Sequence, residues 1–131
     1  MDKKQLCQMA IEATNKSYSP YSGCKVGAAL LAKDGKIFTG CNIENASFSP
    51  TICAERTAFA KAVSEGVTEF AAIAIAAKKN EKFSVFTPCG VCRQVMSEFC
   101  DADFTVLVVA DEDKFDEYTL ADMLPHSFKL D

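Results

Sequence analysis

The chain has 131 residues, 49% of them hydrophobic and 24% charged, enough to bury one core and too few for two domains of ordinary size. Its formal net charge is −4 and its densest basic stretches are the pairs Lys3-Lys4 and Lys78-Lys79. That argues against a protein that coats nucleic acid, because phosphate binding needs clustered lysine and arginine.

The N-terminal stretch MDKKQLCQMA lacks the apolar region of a secretory signal, and no run approaches the roughly 20 apolar residues of a membrane span. The expected location is the cytoplasm, with no membrane partner. Seven cysteines in that compartment point to metal binding or catalysis rather than disulfides.

In chain order, residues 2 to 16 place Leu6, Met9, Ala10 and Ala13 at helical spacing, which predicts an amphipathic first helix. SYSPYSG ends it with Pro20 and Gly23. KVGAALLAKDGKIFTGCNIE reads as two strands joined at Asp34-Gly35, a dipeptide that tolerates the positive φ of tight hairpins. From Asn42 to Pro50 the residues are polar and aperiodic, which marks a loop.

A helix is expected from Cys53 to Ser64, ended by Gly66, and FAAIAIAA reads as a strand buried on both faces. The polar stretch KKNEKFS reads as a break. TPCGVCRQVMSEFC opens with Pro88 and spaces Val91, Val95, Met96 and Phe99 as a helix. DFTVLVVA is strongly β-prone, a further strand is expected near Phe115, and TLADMLPHSF reads as a short helix capped by Thr119 and stopped near Pro125. With no repeat, low-complexity tract or linker, residues 1–131 are expected to form a single α/β domain, a mixed sheet covered by helices.

The chemistry concentrates at two predicted helix starts. PCGVC sets Cys89 and Cys92 three apart, so both sulfurs can grip one ion from a single turn; the same pair could serve as a redox dithiol. Cys53, also at a helix N-terminus that favours thiolate, turns the pair into a tripod. Zinc fits such a tripod, and a fourth position left to water is the mark of a catalytic site.

No further protein ligand suggests itself. His126 is the single histidine and follows Pro125, whereas Cys7, Cys24, Cys41 and Cys100 lack ligand spacing and read as small buried or half-buried apolar residues. Glu55, two residues after Cys53, can take a proton from metal-bound water; alone, it would read as an acid favoured by the helix dipole. Three thiolates and one Zn²⁺ sum to a net negative charge, and Arg56, at i+3 from Cys53, can donate to a ligand sulfur and offset part of it.

CAE together with PCGVC resembles the zinc-dependent cytidine deaminases, whose general signature is H-x-E followed by P-C-x-x-C, with a three-cysteine variant. PYSGCKVGAALL, GCNIENASF, CAERTA, PCGVCRQV and MLPHSF extend the resemblance in order over nearly the whole chain, and it is to the small homotetrameric type.

That resemblance implies a three-layer α-β-α sandwich with a mixed central sheet of about five strands. It further implies one zinc per chain held by Cys53, Cys89 and Cys92, with Glu55 as the proton carrier. Asn42 and Glu44 are implied to bind ribose, and the backbone at Ala54 to face the pyrimidine carbonyl. The implied reaction is deamination of cytidine and deoxycytidine by a zinc-activated water, in pyrimidine salvage.

The family usually carries a phenylalanine after YSG, where this chain has Cys24. Phe48 and Phe128 are the rings that could replace it, and Phe128 is implied to reach a neighbouring subunit's site. A deaminase of bulkier cytosine compounds, a non-catalytic zinc module and a polynucleotide deaminase are the competing readings; NIEN, the lack of a fourth ligand and the acidic charge weigh against them respectively.

Overall fold

The computed structural model describes residues 2–130. A main sheet runs in the order β2-β1-β3-β5-β6, with β4 paired to β3 off that path. Its strands are β1 (Cys24–Ala32), β2 (Ile37–Cys41), β3 (Phe70–Lys79), β4 (Lys82–Ser84), β5 (Thr105–Asp111) and β6 (Lys114–Thr119). β3 and β5 are parallel and the other pairs antiparallel, so the sheet is mixed as expected.

The helices are α1 (Lys3–Ala13), α2 (Ala54–Ser64), α3 (Gly90–Phe99) and α4 (Leu120–Met123). The first helix tightens to a 3₁₀ turn over Thr14–Lys16 rather than running on as an α-helix. The strand expected near Phe115 is β6. The stretch KKNEKFS differs from expectation: it holds the end of β3, a turn at Asn80 and Glu81, both at positive φ, and the short strand β4. Its lysines hide the alternation that normally marks a strand.

Alternation along the strands divides the core into two faces. Ala29, Ala72, Ala74, Ala76, Leu107 and Val109 pack with Leu6, Cys7, Ala10 and Ile11 of α1. Ala28, Leu30, Ile73, Ile75, Val106 and Val108 pack with Ala58, Phe59 and Met96 on the opposite face, where α2, α3 and α4 lie. This is the expected three-layer sandwich.

Small residues on the α1 face let that helix sit close; larger ones on the other side fill the space under α2 and α3. Phe59 is 2% exposed, with the rings of Phe70, Phe99 and Phe104 at 5.0, 6.1 and 6.4 Å between centroids. Such aromatic pairs add roughly 0.5–1.5 kcal/mol each beyond their burial.

The packing of β2 against α2 is what brings the polar loop to the helix start. A Cβ on Gly40 would meet the Ala54 carbonyl oxygen and the Ala58 nitrogen, both at 2.6 Å, and Thr57 Oγ1 donates to the Cys41 carbonyl at 2.9 Å. Backbone cannot yield as a side-chain tip can. Gly40→Ala is therefore expected to destabilise by about 1–3 kcal/mol, read as a lowered denaturant midpoint at constant slope; an unchanged midpoint would show that α2 has room to shift.

Candidate metal centre and active site

Cys53 is the N-cap of α2 and Cys89 the N-cap of α3, with Cys92 in the first turn of α3. The two helix starts face each other so that the three sulfurs lie within 4.8 Å of one another, Cys53 Sγ and Cys89 Sγ being 3.8 Å apart. Two thiolates about 2.3 Å from one tetrahedral zinc stand about 3.8 Å apart, so this spacing suits that ion. Among the described residues no fourth histidine, cysteine or carboxylate joins the group. The three thiols thus fit one zinc with one position to spare.

The electrostatics favour a thiolate at one of the three sulfurs, Cys53. A hydrogen bond from the Cys92 thiol, with help from Arg56 and Cys89, outweighs burial and holds Cys53 down at about 5. Cys92 moves the opposite way, raised by its bond to Cys53 and by burial. Arg56 Nη2 donates to Cys53 Sγ at 3.5 Å, and that bond is the main reason its guanidinium holds its proton more firmly than usual. Arg56 Nε is buried and has no partner among the described residues. A buried donor left unpaired costs about 1–3 kcal/mol, and negative charge gathered on the neighbouring sulfurs offsets part of that.

Glu55 sits in the first turn of α2, 5% exposed. Burial is the largest influence on its carboxyl and lifts it to about 7, with the Cys53 charge pushing the same way. It lines one cleft with Cys53, Ala54 and Cys89. A carboxyl that titrates near neutrality beside a metal tripod is suited to accept and return a proton.

Asn42 and Glu44 line the same cleft. Their segment is pinned on both sides. Tyr18 N donates to the Asn42 carbonyl at 3.0 Å and Glu44 N to the Tyr18 carbonyl at 2.8 Å, while Ile43 and Ile52 exchange two bonds of 3.0 Å. The loop read as aperiodic is a fixed bridge between the SYSPYSG segment and the residue before Cys53.

The side chains are as constrained as the backbone. Asn42 Oδ1 accepts from Val26 N at 2.9 Å and from Ser17 Oγ, and its Nδ2 donates to the Cys24 carbonyl at 2.8 Å. A backbone N–H on one side and a carbonyl on the other fix which end is oxygen, and one of the two amide N–H donors is left over. Glu44 Oε1 accepts from Tyr21 N and Ser22 N at 2.9 and 3.1 Å and its Oε2 accepts from Ser22 Oγ. The Ser22 hydroxyl is the main influence that lowers its pKa.

The sequence pattern did not point to Ser17 or Ser22 as holders of these two side chains; serines in a turn-rich segment carry no spacing signal. Phe48, 79% exposed, lines an adjoining groove with Tyr21, Glu44 and Thr51 rather than the cleft itself. Phe128 is 66% exposed and is not among the residues lining the cleft. Phe86, which sequence reasoning passed over, does line it. Cys24 is half-buried and touches the site through its carbonyl, on Asn42, while Val26, Ile52, Ile75 and Phe86 supply the apolar lining.

The chain is similar to known proteins over nearly its whole length. Residues 1–108 match the family model described as the cytidine and deoxycytidylate deaminase zinc-binding region. The chain is 48% identical over 128 residues to a cytidine deaminase of Sporosarcina psychrophila, covering 98% of this chain and 92% of that one. It is 47% identical to that of Halalkalibacterium halodurans, covering 98% and 95%. Its fold superposes on the crystal structure of the cytidine deaminase from Burkholderia pseudomallei with a TM-score of 0.89 at 42% identity, over 98% of this chain and 100% of that one. With that family model matched over residues 1–108 and relatives 47–48% identical over nearly the whole chain, the chain belongs to the cytidine and deoxycytidylate deaminase family.

Proposed function

We propose that this chain is a zinc-dependent hydrolase that converts cytidine and deoxycytidine, with water, to uridine and deoxyuridine plus ammonia. The observation that carries the reading is the buried Glu55 carboxyl beside the three thiols, in a cleft whose other wall presents Asn42 and Glu44.

Zinc held by Cys53, Cys89 and Cys92 would acidify a water and so supply a nucleophile for C4 of the cytosine ring at neutral pH. Glu55 takes a proton from the attacking water and gives it to the ring nitrogen N3, then takes the remaining proton from the new C4 hydroxyl and delivers it to the amine, so that the C4–N4 bond breaks, ammonia leaves and C4 becomes a carbonyl. Arg56 tempers the charge of the sulfur set through Cys53. Ala54, 0% exposed at the start of α2, offers backbone to the pyrimidine carbonyl. The spare N–H of Asn42 and the carboxylate of Glu44 hold the sugar, and the 2′-hydroxyl is not needed for contacts made to the 3′-hydroxyl.

Several finer points belong to the same reading. Residues 1–131 act as a single catalytic domain, since α1 from the start of the chain covers one face of the shared sheet and α4 from its end packs on the other. Tyr18, Tyr21, Phe48, Phe86 and Phe128 are all exposed aromatics, an apolar surface that fits burial between subunits of a homotetramer, with Phe48 and Phe128 serving a neighbour's site. A cytoplasmic place is supported by seven free thiols, and the reaction itself would serve pyrimidine salvage. Among the described residues no helix is long and apolar enough to cross a membrane.

The test is a panel of cytidine, deoxycytidine, free cytosine and a cytosine-containing oligonucleotide. Both nucleosides should yield ammonia and the uracil product in equal amounts, and Asn42→Ala should raise KM about 10-fold, as expected for a lost neutral hydrogen bond of about 1.4 kcal/mol. Turnover of the oligonucleotide in preference to the nucleosides would contradict the reading.

A further inference from the structure

We propose that Arg93 is a positioning residue that bolts the segment leading into Cys89 to the end of α4, and so sets how firmly the site holds its metal. The inference rests on Cys89 being a zinc ligand.

Cys89 is the exposed member of the tripod, whereas Cys92 is buried and Cys53 half-buried. Packing therefore holds the Cys89 sulfur least. The chain reaches Cys89 from β4 through residues 85–88, and among the described residues no backbone–backbone hydrogen bond anchors those four. Val85, Phe86 and Thr87 are exposed. Pro88 is fully buried and anchors the end of the segment by packing; the polar restraint on residues 87 and 88 comes from one side chain further along α3.

Arg93 Nε donates to the Pro88 carbonyl at 2.7 Å and Nη2 to Thr87 Oγ1 at 3.1 Å, while Nη1 donates to the Met123 carbonyl at 2.7 Å. The Nε/Nη2 edge of the guanidinium thus grips two consecutive residues just before the ligand, and the remaining arm reaches the last residue of α4. A planar fork can hold three acceptors in one geometry; a lysine ammonium of similar length cannot reproduce that set. Arg93 touches none of the sulfurs and does not itself line the cleft, though its partner Thr87 does, so it acts on the metal site through Thr87, Pro88 and Cys89. Partners that orient a ligand typically alter metal affinity by about 10–100-fold when removed.

The experiment measures zinc release from the purified protein to a chromogenic chelator in excess, alongside the thermal midpoint of each variant. Arg93→Lys should bind one zinc per chain and release it about 10-fold faster than the unmodified protein, with Thr87→Ala in between. Ile11→Ala, which loosens the core on the α1 face of the sheet, opposite the helices that carry the cysteines, serves as the control for general destabilisation and should release zinc at the unmodified rate.

Release from Arg93→Lys at the unmodified rate, or no faster than from a control of equal thermal loss, would overturn the proposal. Should Arg93→Lys fail to fold, Thr87→Ala decides: unchanged release sinks the idea. An unmodified protein that holds no zinc would overturn both this inference and the metal-site reading beneath it, whereas firm zinc with indifferent variants would overturn this inference alone.

Discussion

Replacing Glu55 by glutamine is expected to lower turnover of cytidine by about 10²–10⁴-fold, the range for loss of a general acid–base group, while the protein still folds and still binds one zinc. The substitution keeps size and shape in a position that is 5% exposed and exchanges a group that can carry a proton for one that cannot. Glu55 is also lifted to about 7, chiefly by burial, so the neutral amide should cost the fold little. A glutamine variant with full activity would remove Glu55 from the mechanism and revive the reading of the tripod as a mere staple. Measured zinc content separates that outcome from simple loss of the metal.

The second large effect is on the tripod. Cys53→Ala removes one of three sulfurs and also the acceptor of Arg56 Nη2, leaving a guanidinium whose Nε is already unpaired and buried. Zinc should be lost on dialysis and activity should fall at least as far as for Glu55→Gln, by about 10²–10⁴-fold or more. The contrast is with the spare thiols. Burial raises Cys7 to about 11 and is the main cause that raises Cys100 to about 12, which marks both as inert packing residues. Cys7→Ala and Cys100→Ala should keep zinc and turnover and lose only packing energy. Activity that survived Cys53→Ala, or vanished with Cys7→Ala, would show that the metal site has been misplaced.

The division between what residues alone revealed and what needed coordinates follows from physics. The tripod was legible because zinc constrains ligand type and because two helix starts each carried a thiol; a spacing of three within PCGVC leaves little freedom. The long apolar strands β3 and β5 were legible from composition. β4 was not, since Lys82 and Ser84 flank a single Phe83 and its pairing to β3 depends on a turn with two residues at positive φ. Asn42 and Glu44 came from resemblance, yet the hydroxyls of Ser17 and Ser22 that hold them did not. Contacts across 25 and 22 residues leave no periodic trace. Phe86 was missed for a similar reason: it belongs to an irregular segment between β4 and α3 whose anchors, the buried Pro88 and the bonds from Arg93, carry no periodic signal.

The most direct measurement is a titration in which zinc is added back stepwise to metal-stripped protein, with bound zinc and ammonia released from cytidine recorded on the same samples. Ammonia release should rise in proportion to bound zinc and level off at one ion per chain. Full turnover in the stripped protein, or zinc bound at one per chain without any ammonia, would contradict it.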